Sequence, residues 1–446
     1  MLKRELACHY MAKIYVPYRT ENPASFMDYK LSTSAPHFLF RESKMVLQKQ
    51  FMQWAENIRE RANVQARLVL WDGQQLDLGR FTTPLVTVHV KGTSALPYLL
   101  APTMDKLGEA YVTGKIDLEG KLTDIINLGF ALARNTMSES RKNLQHFTRF
   151  FSHTKQEDLQ AIQFHYDVSN EFYKLWLDKN MVYSCAYFEN GDEDLDTAQL
   201  KKIDHILTKI KVQPGDTLLD IGCGWGALVL RAAGKFGAKC VGITLSERQH
   251  GLAIERVRAA GLQDRIEIRL QDYRDVKGQF DRITSVGMFE HVGRENLPAY
   301  FRRIHDLLKD DGLAMNHGIT ATHPDEADRN YGAGEFLDKY VFPHGELPHL
   351  SRAIHDMQSG GLEVIDAENL RRHYARTLDL WADNFEKQTP AIKETIDAEH
   401  YRVWRVYLAG CAYAFMHDQI CIYQVLCQKS GKRADAIDWS RKYIYR

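Results

Sequence analysis

The sequence predicts an α/β fold, with a mixed and mostly parallel sheet that carries helices on both faces and a smaller N-terminal α+β domain. The strand-like residues 217–222 run into a glycine-rich segment, Gly222 to Gly226, after which a helical pattern begins. Strand and helix patterns then alternate, which is typical of parallel sheets because crossovers between parallel strands usually contain a helix. The length of 446 residues exceeds one ordinary core, so a second domain is expected.

Four segments are expected along the chain. Residues 1–40 are a leader rich in Pro, Ser and Thr without clear periodicity, and residues 41–136 form the small domain. Residues 137–163 predict a basic amphipathic linker helix, in which lysine and arginine are interleaved with phenylalanine. Such a helix can lie on an anionic membrane surface or pack its phenylalanines between domains, and the sequence leaves both open. Residues 164–446 form the large domain.

The elements within each domain follow from local patterns. In the small domain we expect a helix, a hairpin turned at Asp72-Gly73, a further strand and a mostly helical stretch, at residues 43–63, 66–78, 86–90 and 95–134. In the large domain we expect strands at 217–222, 239–245, 265–271, 281–288, 313–320, 362–366 and 419–425. Helices are expected there at 225–236, 246–260, 295–310, 349–359 and 376–417.

Composition limits the classes of function. Lysine plus arginine and aspartate plus glutamate both total 58, so no strongly basic surface is indicated and no nucleic acid is expected as a partner. No apolar run reaches the roughly 18 residues that span a bilayer, and no apolar segment follows the charged N-terminus. Neither a membrane span nor a secretory signal is therefore expected. Seven cysteines without paired spacing indicate reduced cytosolic thiols, and no metal site is expected.

The glycine-rich segment predicts a cofactor site, because glycine permits positive φ angles and close approach of a ligand. The second strand ends without an acidic residue, and no Lys-Ser or Lys-Thr follows the glycines, so neither a dinucleotide nor a Walker-type site is expected. An adenosine ligand without phosphates fits better. Thr244 and Gln249 can reach ribose hydroxyls, and Gln271 with Asp272 can meet the adenine amino group. S-adenosylmethionine is therefore the expected cofactor.

Five further motifs occur in order along the large domain. They are Phe164-His165-Tyr166-Asp167, Tyr183-Ser184-Cys185-Ala186-Tyr187, Gln271-Asp272-Tyr273-Arg274-Asp275, Ser285-Val286-Gly287-Met288-Phe289-Glu290-His291-Val292-Gly293 and Phe342-Pro343-His344-Gly345-Glu346-Leu347-Pro348. With the glycine-rich segment, this combination resembles the cyclopropane-fatty-acid synthases from about residue 160 to the C-terminus. Residues 60–135 are similar to the smaller N-terminal domain of the same enzymes.

The resemblance implies a class I methyltransferase fold and a reaction. The enzyme would transfer a methylene group from S-adenosylmethionine to the cis double bond of an unsaturated phospholipid acyl chain, forming a cyclopropane fatty acid. A carbocation would form on methyl transfer, and a bound bicarbonate ion would remove one proton as the ring closes. The same cation could instead yield a methyl-branched or methylene fatty acid. The resemblance also suggests a homodimer, and we expect a cytoplasmic protein that is peripheral on the inner face of the membrane.

The motifs assign residues to both parts of the site. Those expected to bind the cofactor are Tyr183, Ser184, Asp220, Gly222, Cys223, Gly224, Trp225, Gly226, Thr244, Leu245, Ser246, Gln249, Gln271 and Asp272. By resemblance, the bicarbonate ligands are Cys185, Glu290, His317, Ile319 through its backbone, and Tyr374, while Cys411 occupies the position long labelled the active-site cysteine. The rings of Tyr183, Tyr187 and Phe289 are candidates to stabilise the cation.

Structural explanations stay open for several of these residues. His317 lies on an expected strand, where a lone histidine is often structural, and free cysteines such as Cys185 and Cys411 are usually small buried hydrophobic residues. Tyr374 can simply pack its helix, and Ser246 is a candidate helix cap. Two other functions also stay open, namely a lipid-binding protein without catalysis and a methyltransferase that acts on small soluble nucleophiles.

Overall fold

The computed structural model describes residues 49–140, 168–324, 334–341, 346–433 and 438–445. The leader expected over residues 1–40 lies outside the described residues, and so does most of the linker helix expected over residues 137–163. The described residues contain two sheets, one in each of the two expected domains.

The small domain has a four-stranded sheet in the order β2-β1-β3-β4. Its strands are β1 (Ala66–Val69), β2 (Gln75–Asp77), β3 (Val86–Val90) and β4 (Ile116–Gly120), and its helices are 49–61, Leu96–Leu100, Met104–Val112 and Leu122–Ser140. The expected hairpin of β1 and β2 is confirmed, and Gly73 takes a positive φ of 85° at its turn. Strands β1 and β3 pair in parallel, whereas the other neighbours are antiparallel.

Strand β4 corrects the expectation of a mostly helical stretch over residues 95–134. Gly114 follows the preceding helix with a positive φ of 70°, which ends the helical path. Ile116 and Leu118 then alternate with acidic residues and pair with β3. This segment therefore has the period of a strand, and pairing with β3 outweighs the helical pattern on either side.

The large domain has a seven-stranded sheet in the order β10-β11-β9-β8-β5-β6-β7. Its strands are β5 (Thr217–Ile221), β6 (Lys239–Thr244), β7 (Ile266–Leu270), β8 (Phe280–Val286), β9 (Leu308–Ala321), β10 (Leu362–Asn369) and β11 (Ile420–Lys429). Strands β5 to β9 pair in parallel with one another, while β11 runs antiparallel to both β9 and β10. The expected mixed, mostly parallel sheet is confirmed. Strand β9 begins at Leu308, inside the helix expected to reach residue 310.

The helices of the large domain differ from expectation mainly near the C-terminus. They are Asn170–Lys174, Leu195–Lys209, Ala227–Phe236, Glu247–Ala259, Leu297–Leu307, Gly334–Tyr340, Leu350–Ser359, Arg371–Lys387, Thr389–Thr395 and Ala398–Met416. The single helical region expected over residues 376–417 is thus three helices. Pro390 lies in the first turn of the second, and Asp397 caps the third by accepting from the amide of His400. Both are local signals for a helix start.

The order of the strands reverses between β5 and β8. From β5 the chain proceeds to β6 and β7 on one side, and it then crosses to β8 and β9 on the other. The loops at the carboxyl ends of β5 and β8 therefore diverge and leave a crevice, where ligands of such sheets bind. The glycine-rich segment follows β5 and residues 287–291 follow β8, so both border this crevice.

The helix Ala398–Met416 joins the two domains. It packs against the helices Met104–Val112 and Leu122–Ser140 of the small domain. The ring of Tyr413 stacks on that of Phe130, with centroids 4.0 Å apart, and Arg405 donates to the hydroxyl of Tyr111 at 3.0 Å. The two expected domains therefore share a packed boundary and belong to one compact unit.

Candidate active site

A pocket of about 140 Å³ lies at the crevice between β5 and β8. It is lined by eleven of the residues expected to bind the cofactor, namely Tyr183, Ser184, Asp220, Gly222, Cys223, Gly224, Trp225, Thr244, Leu245, Gln249 and Gln271. These residues come from the carboxyl ends of β5, β6 and β7 and from the segment that precedes the helix Leu195–Lys209. The fold thus brings together residues that lie far apart in the sequence.

The glycine-rich segment leaves space for a ligand. Gly222 and Gly224 have positive φ angles of 80° and 55°. A Cβ atom on Gly224 would meet no atom within 4 Å, so the backbone borders open space there, whereas a Cβ atom on Gly222 would come within 3.3 Å of the Met288 side chain. The helix Ala227–Phe236 begins directly afterwards. This arrangement suits a ligand that approaches the backbone closely.

Three of the expected cofactor residues do not line this pocket. Gly226 lies at the N-cap of the following helix with a φ of 83°. The hydroxyl of Ser246 accepts from the amide of Gln249 at 3.3 Å, which is a capping interaction. The carboxylate of Asp272 accepts from the guanidinium of Arg274 at 2.8 and 2.6 Å. Gly226 and Ser246 therefore shape the loops that border the pocket.

Two buried charged groups border the pocket. Burial raises the pKa of Asp220 to about 6, although the hydroxyl of Thr284 donates to its carboxylate at 2.7 Å. Burial lowers the pKa of Lys202 to about 8, and its ammonium group donates to the hydroxyl of Ser184 at 2.8 Å. Sequence reasoning missed Lys202, because a lysine in a helix is usually exposed to solvent.

A second cavity, of about 560 Å³, adjoins the cofactor pocket. All six residues expected at the catalytic centre line it, namely Cys185, Glu290, His317, Ile319, Tyr374 and Cys411. The two spaces share Tyr183, Ser184, Gly287 and His291 as lining residues, so they meet there. The structure therefore places a group of polar residues where a pocket of cofactor type opens into a largely apolar cavity.

Glu290 lies on a 3-10 turn, Phe289–His291, that follows β8. Gly318 of β9 makes this position possible, because the ring of Phe289 occupies the space that a Cβ atom on Gly318 would need. Oε1 of Glu290 accepts from the amide of Ile319 at 2.6 Å, and Oε2 is buried without a hydrogen-bond partner among the described residues. Burial raises the pKa of Glu290 to about 7. An unpaired buried oxygen is costly, so Oε2 is a candidate ligand contact.

His317 is held by a chain of buried polar groups. Nζ of Lys209 donates to Oε1 of Gln424 at 2.9 Å, and Nε2 of Gln424 lies 3.1 Å from Nδ1 of His317, its direct partner across β9 and β11. Because the Gln424 amide donates through its nitrogen, Nδ1 accepts and Nε2 carries the ring proton. This Nε2 is buried without a partner among the described residues.

The surroundings of His317 favour the neutral form of its ring. Burial, and then the nearby ammonium groups of Lys202 and Lys209, hold the pKa of His317 well below its usual range. Lys209 is itself ion-paired with Glu368, so the chain of polar groups continues to a carboxylate. His317 therefore lines the cavity with an N–H donor and turns its lone pair towards Gln424.

The two cysteines at the cavity are thiols. Burial raises the pKa of Cys185 far above its usual range and that of Cys411 to about 12. Because a protonated thiol is a poor nucleophile, neither side chain is prepared to attack a substrate. Tyr374 lines the same cavity, and its ring packs 4.6 Å from that of Phe415.

Of the three rings expected to stabilise the cation, two do not lie at the cavity, so the expectation is wrong for these two. Tyr183 lines both spaces. Tyr187 instead stacks on His205 with centroids 4.2 Å apart, and Phe289 packs against β9 at Gly318. Neither of these two lines the cavity. The aromatic side chains that do line it, besides Tyr183, are Tyr111, Phe130, Phe336, Tyr374, Tyr407 and Phe415.

Sequence reasoning also missed Gln424 and Lys209. Gln424 interrupts the apolar strand β11 at a fully buried position, and a polar side chain at such a position needs a partner. This polar residue in an apolar strand is the sequence signal that could have identified Gln424. Lys209 offered none, because a lysine in the last turn of a helix normally faces solvent and the last carbonyl groups.

Comparisons with known proteins cover both domains. The family described as mycolic acid cyclopropane synthetase matches residues 153–425, and a family described as a domain of unknown function matches residues 53–141. A probable fatty acid methyltransferase of Pseudomonas putida is 46% identical over 385 residues, which cover 85% of this chain and 96% of that protein. Cyclopropane mycolic acid synthase 1 of Mycobacterium tuberculosis is 37% identical over 276 residues, which cover 60% of this chain and 96% of that protein.

A solved structure supports the same relationship. A mycolic acid cyclopropane synthase complexed with SAH and CTAB is 37% identical, with a TM-score of 0.58, and the match covers 61% of this chain and 98% of that chain. The sheet order and this likeness confirm the class I methyltransferase fold. The chain belongs to the mycolic acid cyclopropane synthetase family of S-adenosylmethionine-dependent methyltransferases.

Proposed function

We propose that this protein transfers a methylene group from S-adenosylmethionine to the cis double bond of an unsaturated phospholipid acyl chain, forming a cyclopropane ring. The observation that carries the proposal is a pair of buried atoms, Glu290 Oε2 and His317 Nε2, that have no partner among the described residues. They lie beside the opening of the smaller pocket into an apolar cavity. A cavity of this kind suits a hydrocarbon chain. The names of relatives, fatty acid methyltransferase and cyclopropane mycolic acid synthase, support an acyl substrate.

The smaller pocket suits S-adenosylmethionine, which when bound supplies an electrophilic methyl group. The open space beside Gly224 allows a ligand to approach the backbone. Thr244, which donates to Gln249 at 2.8 Å, and Gln249 itself are the candidates to bind ribose hydroxyls. Tyr183 and Ser184 border both spaces and would hold the methyl donor against the acyl chain. Positioning of this kind can supply about 7–11 kcal/mol of a reaction barrier.

We propose further that Glu290 and His317 hold a bicarbonate ion, which when bound supplies a weak base. Bicarbonate has acceptor oxygens and one hydroxyl donor, so it can accept from Nε2–H of His317 and pair with Oε2 of Glu290 in either protonation state. Cys185 and Tyr374 line the same cavity as further candidate ligands. The amide of Ile319 is engaged by Oε1 of Glu290, so Ile319 would act through that carboxylate.

The side chains around the acyl chain would tolerate a carbocation without trapping it. Cys185 and Cys411 are protonated, and the lone pair of His317 faces Gln424. Neither a thiolate nor the imidazole lone pair of His317 therefore faces the reacting carbon atoms. Aromatic rings at the cavity, such as Tyr374, can stabilise a positive charge by about 0.5–2 kcal/mol each.

Product analysis tests the proposed function. The protein is incubated with S-adenosylmethionine and vesicles that contain a cis-monounsaturated phospholipid, and the fatty acid methyl esters are analysed by mass spectrometry. We expect an acyl chain that is heavier by one methylene and has lost its double bond. A methyl branch or a methylene group would support the alternative product, which the name of one relative, tuberculostearic acid methyltransferase, also suggests. Unchanged acyl chains would contradict both.

Membrane association and oligomeric state are further parts of the proposal. We propose a homodimer in the cytoplasm that binds the inner face of the membrane peripherally. The basic segment 137–163 supports the membrane association, because lysine and arginine near a membrane attract anionic lipids. Separately, no described helix is both long and apolar enough to cross a membrane.

A further inference from the structure

The 560 Å³ cavity is not confined to the large domain. It passes the helices Met104–Val112 and Leu122–Ser140 and reaches the sheet of the small domain, where Leu68, Val88 and Leu118 line it. Val88 pairs in register with Leu68 of β1 on one side and with Leu118 of β4 on the other. The three side chains therefore form one row on one face of the sheet, and this row is a wall of the cavity.

The cavity lining divides by polarity between the two domains. Among the described residues, its small-domain lining consists of aliphatic, aromatic, methionine and glycine residues, and the hydroxyl of Tyr111 accepts from Arg405. The charged side chains, histidines and cysteines among the described residues that line the cavity, including Glu290, Arg294 and His317, belong to the large domain. A space with such an apolar lining excludes water and admits hydrocarbon.

We infer that the interior of the small domain binds the methyl-terminal part of the substrate acyl chain and so selects the length of chain beyond the double bond. This inference rests on the proposed function. The double bond would have to lie near Glu290, where the cavity meets the cofactor pocket. The glycerol and phosphate end of the lipid would find no charged partner among the described small-domain residues that line the cavity, so it must point the other way. The row Leu68, Val88 and Leu118 is then the end wall for the methyl terminus.

Phospholipids that share a headgroup but differ in acyl chain test this assignment. Palmitoleoyl and cis-vaccenoyl chains have equal numbers of carbons beyond the double bond, and an oleoyl chain has two more. Palmitoleoyl and oleoyl chains, by contrast, have equal numbers of carbons before it. All three are presented together in one vesicle preparation, and relative kcat/KM values are read from product ratios, which do not depend on the amount of active protein.

Three variants complete the design. Val88→Phe shortens the cavity at this wall, and Leu118→Ala lengthens it. Thr87→Phe is the matched control, because Thr87 is the neighbour of Val88 on β3, points to the opposite face of the sheet and does not line the cavity.

We expect Val88→Phe to lower the rate for oleoyl chains relative to both other chains, on the order of tenfold. Palmitoleoyl and cis-vaccenoyl chains should respond alike, Leu118→Ala should shift the ratio in the opposite direction, and Thr87→Phe should match the unsubstituted protein. If thermal melting shows that Val88→Phe does not fold, the product ratio of Leu118→Ala tests the inference instead.

Two results would overturn the inference while the proposed function stands. One is an unchanged product ratio in a folded variant, and the other is a discrimination that follows the carbons before the double bond. Failure of the unsubstituted protein to modify any of the three chains would overturn the proposed function itself.

Discussion

Glu290 and His317 each keep one polar atom without a partner among the described residues, while the other is engaged by the Ile319 amide and by Gln424 respectively. The proposed bicarbonate ion would bind at these two atoms. We expect Glu290→Gln and His317→Ala to lower kcat on the order of 10²–10³-fold, as loss of a pre-positioned polar group does. The dissociation constant of the cofactor should change little, because neither residue lines the cofactor pocket. Steady-state kinetics and calorimetric titration measure the two quantities. Near-normal turnover in either variant would contradict the assignment.

Gln424 is a positioning residue in this account, since it fixes which nitrogen of His317 carries the proton. Gln424→Leu should let the proton occupy either ring nitrogen of His317. It should therefore lower kcat by a larger factor than the factor by which it changes KM. Nitrogen NMR of a protein labelled at histidine reports the tautomer directly. Gln428→Leu is the control, because Gln428 lies on the same strand and pairs with Glu363 at 2.9 Å. A lowered kcat with an unchanged His317 tautomer would show that Gln424 only supports the fold.

At the scale of elements, the 3-10 turn Phe289–His291 and strand β9 fit together only because residue 318 is glycine. Gly318→Ala should displace the Phe289 ring, move Glu290 away from the Ile319 amide and abolish most turnover. The free energy of unfolding should fall by about 1–3 kcal/mol, as for other overpacked cores. Gly251→Ala is the control, since Gly251 is an exposed residue of the helix Glu247–Ala259 with open space around it, and alanine there should stabilise the protein by about 0.5–1 kcal/mol. Denaturant titration and activity assays measure both; full activity in Gly318→Ala would refute the packing argument.

The boundary between the domains contains a carboxyl group that titrates near neutrality. Burial raises the pKa of Asp105 from its ordinary value of 3.8 to about 7, where it accepts from the amide of Phe336 at 2.7 Å. The folded protein thus holds a proton that the unfolded chain releases, so this contribution to stability is full below about pH 4 and is lost as the pH rises through 7.

Asp105→Asn removes this titration and keeps an oxygen for the Phe336 amide. The melting temperature of the variant should therefore rise relative to that of the unsubstituted protein between about pH 4 and pH 7. Thermal melts at several pH values measure the difference. The burial of Glu290 raises its pKa too, but Glu290 is present in both proteins. The difference between their melting temperatures therefore reports the titration of Asp105. A difference that stays constant over this range would contradict the raised pKa.

The elements that the sequence predicts correctly are those with local signals. Strands β5 to β8 carry their own apolar pattern, and the glycine-rich segment specifies its own turn by positive φ angles. Strand β4 has a weaker signal of its own and depends on pairing with β3, so the sequence predicts helix there instead. The same holds at the site. Gln424 stands opposite His317 only because β11 pairs with β9, and the two residues are 107 positions apart.

In the whole molecule, two adjoining spaces meet at one group of polar residues. The cofactor pocket lies at the reversal of strand order, the polar pair Glu290 and His317 lies beside it, and the apolar cavity leads on to the small domain. The sequence predicted the first two parts through motifs. It could not predict the third, because the small domain and the large domain build that cavity together from residues without chemical signatures.

The most direct test of the central claim uses S-adenosylmethionine whose transferable methyl group is fully deuterated. The account predicts a cyclopropane product that keeps two of the three deuterons, because the base held by Glu290 and His317 removes one from the transferred methyl group. Mass spectrometry of the fatty acid methyl esters measures this directly. A product that keeps all three deuterons, or label that enters soluble compounds but no lipid, would contradict it.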